Sequence, residues 1–174
     1  MRTHRIPTFV ASIAISLAPA NAATWQTQTY ETDGFTVDFS GKVRVKPIEV
    51  DAEAKKNLVR STSYMQDGGD SYVYIVGASL LREGAVFDFD AGVKGTMDTY
   101  KCAQIDTDKA ANPGAVRSRE IRAAKCIDGK VRIGAKFFHQ GPWFYQVVYM
   151  IAPGANAADA AHFFASFKIV TPPT

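Results

Sequence analysis

The chain has 174 residues but only two cysteines and three histidines, and beyond its N-terminal segment no apolar run approaches the length that crosses a bilayer, about 20 residues. One histidine, His4, lies in that segment, leaving His139 and His162. A histidine metal site needs two or three imidazoles, or added carboxylates, converging on one point. The spacing of these two offers no such set, and both read as surface or boundary residues. No serine sits in a Gly-x-Ser-x-Gly elbow, and Gly68-Gly69 is not followed by the Lys-Ser or Lys-Thr of a phosphate-binding loop. Asp88-Phe89-Asp90 and Asp106-Thr107-Asp108 suggest calcium, but an EF-hand loop needs further oxygen ligands, a central glycine and a terminal glutamate. Helix capping and turn formation explain both runs better. No catalytic, metal or cofactor signature emerges, and no cofactor is expected.

Charge of one sign is lacking too. The 20 Lys and Arg residues face 17 Asp and Glu, a formal net charge of +3. Two of the cations, Arg2 and Arg5, stand at the N-terminus without an acidic neighbour. An apolar stretch over residues 6–18 follows, and Ala20-Asn21-Ala22 then supplies small side chains where a signal peptidase reads them. Residues 1–22 are therefore expected to be a cleavable signal peptide, cut after Ala22 or Ala23. Residues 23–174 are expected to form a single exported, soluble domain, periplasmic or secreted. Without Arg2 and Arg5 the remainder is nearly neutral, which gives no electrostatic case for nucleic acid as a partner. In an oxidising compartment an isolated cysteine pair usually bridges, so Cys102 and Cys126 are expected to form a disulfide. It would contribute about 3 to 4 kcal/mol by restricting the unfolded chain.

What is present is alternation. Phe35, Val37 and Phe39 recur with period two after Gly34, as in a strand with one buried face. Residues 58–65 and 72–80 flank Asp67-Gly68-Gly69-Asp70, and residues 116–127 and 130–138 flank Asp128-Gly129, a dipeptide suited to the tight hairpin turn. Residues 143–151 follow Gln140-Gly141-Pro142. At least three of these strands are consecutive, so the sheet should be largely antiparallel. Two stretches have helical spacing. Phe89, Val93, Met97 and Tyr100 recur behind Asp88 or Asp90 as a cap, and residues 157–164 follow Asn156, with Ala160, Phe163 and Phe164 toward the sheet. The expected class is α+β, an antiparallel sheet flanked by helices.

Three of these stretches resemble the PsbP-like family, which includes the extrinsic photosystem II protein and many small exported bacterial proteins. Gly34-Phe35-Thr36-Val37-Asp38-Phe39 is similar to the family's opening strand, residues 131–149 to its late strand pair, and His162-Phe163-Phe164-Ala165-Ser166-Phe167 to its terminal helix. The resemblance implies an α/β/α sandwich used for docking onto other macromolecules, and it transfers no catalytic residue.

The one uneven charge distribution runs from Arg117 to Lys136, where seven cations outnumber Glu120 and Asp128. Strand alternation puts Lys130, Arg132 and Lys136 on one face, a row able to receive an anionic ligand or an acidic partner, or simply a solvated face. Trp143, after the Gly-Pro turn, is either an exposed aromatic anchor or part of the core. The leading expectation is a non-catalytic periplasmic binding or assembly module, its partner another envelope protein or a small ligand. The competing readings are a small hydrolase or redox enzyme with an unrecognised site and an envelope stress factor that binds amphiphiles. Mass spectrometry of native material should find an N-terminus at Ala23 or Thr24 and two fewer hydrogens than the dithiol; an intact Met1 with free thiols would refute the export reading.

Overall fold

The computed structural model describes residues 23–50, 52, 54–112 and 114–170. The expected signal peptide, residues 1–22, and the tail 171–174 lie outside the described residues. Ten strands and two helices follow one another: β1 (Gln26–Tyr30), β2 (Phe35–Phe39), β3 (Val43–Pro47), β4 (Leu58–Asp67), β5 (Tyr72–Leu81), α1 (Phe89–Thr99), β6 (Thr107–Ala111), β7 (Arg117–Cys126), β8 (Val131–Gln140), β9 (Trp143–Ile151), α2 (Ala157–Ser166) and β10 (Lys168–Ile169). Seven strands make one sheet in the order β3-β4-β5-β9-β8-β7-β6, and β1-β2-β10 make a second, smaller one. Every pairing is antiparallel.

The local chemistry explains the joints. Asp128 and Gly129 both have positive φ, 59° and 78°, and Lys130 N–H closes the turn on the Ile127 carbonyl at 3.1 Å. This is the twist that lets β7 and β8 pair without splaying. Asp67 Oδ1 accepts the Gly69 N–H at 2.9 Å and fixes the β4–β5 turn. Asp88 caps α1 by accepting from Asp90 and Ala91 N–H, and Asn156 caps α2 through Ala158 N–H, so each helix start has a side chain satisfying its orphan donors. Gly92 weakens α1 in isolation, but a Cβ there would come within 2.5 Å of the Phe87 ring; the glycine is what admits that ring beneath the helix.

The two faces of the large sheet are covered by different layers. On one, α2 and the small sheet bury Phe35, Val37, Phe39, Tyr74, Val76, Tyr145, Val147, Phe163 and Phe164. On the other, α1 and the segment before it close over Ile121, Ile133, Ala135, Phe137 and Val148. The α+β class with helices on both faces agrees with the sequence expectation, whereas the small sheet was not anticipated. A polar network crosses the first core. Asp33, 3% exposed, accepts from Arg60 and from the Tyr64 hydroxyl, each at 2.6 Å, and its carbonyl accepts from the Tyr145 hydroxyl at 2.8 Å. The buried carboxylate is thus paired and hydrogen-bonded, as burial of a charge requires.

Cys102 and Cys126 are bonded, joining the segment after α1 to the end of β7 across 24 residues of sequence. Changing both to serine should lower unfolding stability by about 3 kcal/mol, read by urea denaturation under oxidising conditions. An unchanged midpoint would show that the bridge does not constrain the unfolded chain.

Candidate functional site

Antiparallel register assigns each side chain to a face, because directly opposed residues point the same way. Across β6, β7, β8 and β9 this gives rows on the α2 side of the sheet: Thr107, Arg122, Gly134 and Tyr149; then Lys109, Glu120, Lys136 and Val147; then Ala111, Ser118, Phe138 and Tyr145. Arg132, opposite Ile151, extends the same face by one step. α2 packs over β9 and β2, so the outer part of this face, from β8 to β6, stays open. Four cations stand on it, Lys109, Arg122, Arg132 and Lys136, beside Glu120.

Their partners decide how much charge remains. Glu120 is held between Arg122 Nε at 2.8 Å and Lys136 Nζ at 3.3 Å, and Lys136 also lies 4.8 Å above the Phe164 ring. The Arg132 and Lys109 side chains make no hydrogen bond or ion pair among the described residues, and both residues are exposed. Net positive charge on this flank thus resides mainly in Arg132 and Lys109.

Two concavities mark the flank. A cleft of about 280 Å³ between α2 and the sheet is lined by Asp106, Arg122, Arg132, Tyr149, Ala157 and Ala161. The two alanines on α2 leave it open. Beside it, a hollow of about 290 Å³ is lined by Lys109, Ser118, Glu120, Lys136 and Phe138. The Tyr149 ring packs 4.6 Å from Phe164 and lies across Gly134, where a Cβ would come within 2.4 Å of it. Glycine at 134 is therefore the condition for Tyr149 to reach over β8 toward the β7 strand. Burial raises the Tyr149 pKa above its ordinary 10.0; Arg122 and Arg132 oppose the rise and Glu120 adds to it. The hydroxyl stays protonated at neutral pH, with no hydrogen-bond partner among the described residues.

The sequence row is thereby partly corrected. Arg132 and Lys136 share a face as expected, but Lys130 lies in the Ile127–Lys130 turn and belongs to neither face of β8. Trp143 is not an exposed anchor: it is 4% exposed, stacked on Tyr145 at 5.9 Å and covered by the Arg60 guanidinium at 5.3 Å. The Gly-Pro turn sends it inward as the first core residue of β9. Arg119, on the opposite face, is held by Asp108 through two hydrogen bonds, at 2.8 and 2.7 Å, and by Asp90 of α1. Thr107 and Asp108 are strand residues of β6, not a turn, and the Asp106 carboxylate is engaged by Ala124 N–H at 2.6 Å. Sequence reasoning counted Arg122 but did not place it, and it passed over Tyr149. The Asp128-Gly129 turn was only part of the signal: counting back from it sets Arg122 opposite Ala135, and an irregularity between Ala123 and Cys126 shifts the register by one to Gly134.

The histidines have separate surroundings. His162 Nε2 contacts Asp38 Oδ2 at 2.9 Å, and its ring packs at a tilt against Trp25, with centroids 4.4 Å apart. Ser166 is close by, but its hydroxyl donates to the Phe163 carbonyl at 2.8 Å and accepts from Asp38 N–H at 3.0 Å. Its proton is committed to the helix rather than to the imidazole, unlike an activated serine. His139 Nδ1 is 2.7 Å from Arg117 Nη2, which donates, so Nε2 carries the proton; that atom is buried with no partner among the described residues.

An antiparallel sheet between a terminal helix with a small sheet on one side and a second helix on the other is a PsbP-like α+β fold. The solution structure of cyanobacterial PsbP (CyanoP) from Synechocystis sp. PCC 6803 is similar over 88% of this chain and 97% of that one, with a TM-score of 0.58 and 10% identity. At that identity the likeness establishes the fold and carries over no residue's role. No protein-family model and no curated protein sequence matches the chain. Among the described residues no helix is long and apolar enough to cross a membrane.

Burial, with Arg117 beside it, holds the His139 pKa below its ordinary 6.5. The unfolded chain then takes up this proton at higher pH than the folded one, so stability is lost as pH falls below about 6.5. Replacing His139 by Gln should flatten the fall in melting temperature between about pH 7 and pH 5. A variant that follows the parent curve throughout would contradict the assignment.

Proposed function

We propose that the protein is an exported, non-catalytic binding or assembly module of the bacterial periplasm, and that it docks an acidic partner, another envelope protein, on the open flank of β6, β7 and β8. The observation that carries this reading is the coincidence of concavity with uncompensated positive charge. The cleft beside α2 and the hollow next to it lie on the same strands that display Lys109, Arg122, Arg132 and Lys136. A solvated face would be expected to pair its charges evenly, as the opposite face does where Arg119 is neutralised by Asp90 and Asp108. The export expectation supports an envelope partner. The PsbP-like fold is compatible with docking, although a fold by itself does not decide function.

Steering by such a flank is electrostatic and therefore salt-dependent. The mature chain immobilised on beads should retain an acidic envelope protein at low ionic strength and release it as salt rises. Reversing Arg122, Arg132 and Lys136 to Glu should abolish retention, while reversing Arg44 on the distant strand β3 should not. Retention by the triple variant equal to that of the parent would refute the proposed surface.

A further inference from the structure

We infer that the cleft formed by Arg122, Arg132 and Tyr149 is a carboxylate pocket, and that its occupant is a glutamate or aspartate in an extended segment of the acidic partner. The inference rests on the docking proposal above and narrows it to an anchor.

The donors come first. Arg132 is exposed and without a partner, and the Tyr149 hydroxyl, held across Gly134, is equally unengaged. Arg122 binds Glu120 through Nε and Nη2 and contributes its positive field. A guanidinium and a phenol hydroxyl on one cleft wall are the donor types that carboxylates accept from most strongly. The apolar wall of Ala157 and Ala161 accommodates the methylenes that carry such a carboxylate.

Charge then chooses among oxyanions. Asp106 also lines the cleft and Glu120 is shared by Arg122 and Lys136, so two acids stand against three cations. One added negative charge is matched by Arg132, whereas a phosphate dianion would leave an excess. A monoanion fits and a dianion does not.

Geometry finally sets the form of the partner. Arg132 and Lys136 are four residues apart on β8, about 13 Å along the strand, and the cleft and the hollow sit at these two positions. In an extended segment running along β8, residues four apart face the same side with the same separation. Two carboxylates at that spacing reach both Arg132 and the Lys109 and Lys136 pair.

The test uses the oxidised mature chain and glycine-serine peptides bearing two glutamates, separated either by three spacer residues or by two. The second spacing turns one carboxylate away. Binding is followed by NMR titration, monitoring the Tyr149 ring and the Arg132 side chain. The first peptide should shift both signals and bind about tenfold more tightly than the second. Arg132→Gln and Tyr149→Phe should each weaken it by about tenfold, with melting temperatures confirming that both variants are folded. Equal affinity for the two peptides, no loss in either variant, or tighter binding of inorganic phosphate at these residues would overturn the carboxylate pocket. If the triple charge reversal abolishes partner retention while Arg132→Gln and Tyr149→Phe leave the peptide unaffected, the docking flank stands and the pocket falls.

Discussion

A sheet of seven strands spaced about 4.8 Å apart is roughly 29 Å wide, and a helix with its side chains is only about 10 Å across. One ten-residue helix cannot cover such a face, so the fold depends on where each covering layer is placed. Here the layers are offset. α2 and the small sheet lie over β9, β5 and β4, whereas α1 lies over β7, β8 and β9 on the reverse side. β9 sits where the layers overlap and is covered on both faces, and its burial pattern is nearly continuous. β7 and β8 are therefore supported from behind by α1, and in front, apart from Phe138 stacked on Phe167, they and β6 are left open.

That support is what makes an open flank affordable in a sheet of this size. Phe87 stacks on Phe144, and the disulfide closes the end of β7 against the segment after α1. Arg119 ties the same strands to the start of α1. On the covered side, Asp33 draws Arg60, Tyr64 and Tyr145 together and locks the small sheet to β4 and β9. With both layers anchored, cations can stand on β7 and β8 without a hydrophobic contact of their own. Such a face supports the proposed recognition of an acidic surface better than burial of an apolar ligand.

Much of this architecture was legible in the residues. Phe35, Val37 and Phe39 alternate because β2 has one face in the core, and all three are buried. Asp128-Gly129 announced its hairpin because two consecutive positive φ angles are cheap only for such residues. Asp88 and Asn156 marked the helix starts because each satisfies backbone donors. The strands β1, β3 and β6 left no such trace, since their side chains are largely exposed on both faces and period two needs a buried face to show itself. The site was harder still. Lys130, Arg132 and Lys136 looked like one row because the turn consumes a residue that alternation alone cannot detect. The pairing of Arg122 with Gly134, and the passage of Tyr149 over it, are relations between strands that no single stretch contains. Trp143 was ambiguous for the same reason, as its direction depends on Arg60 and Tyr145.

The central claim is that recognition occurs on the α2-side flank of β6 to β8. A photo-crosslinking amino acid placed at Glu120 on that flank, and separately at Ser63 on the reverse face of β4, tests it most directly in living cells. The account predicts a discrete adduct with an acidic envelope protein from position 120 and none from position 63. Adducts from position 63 alone, or none from position 120, would contradict it.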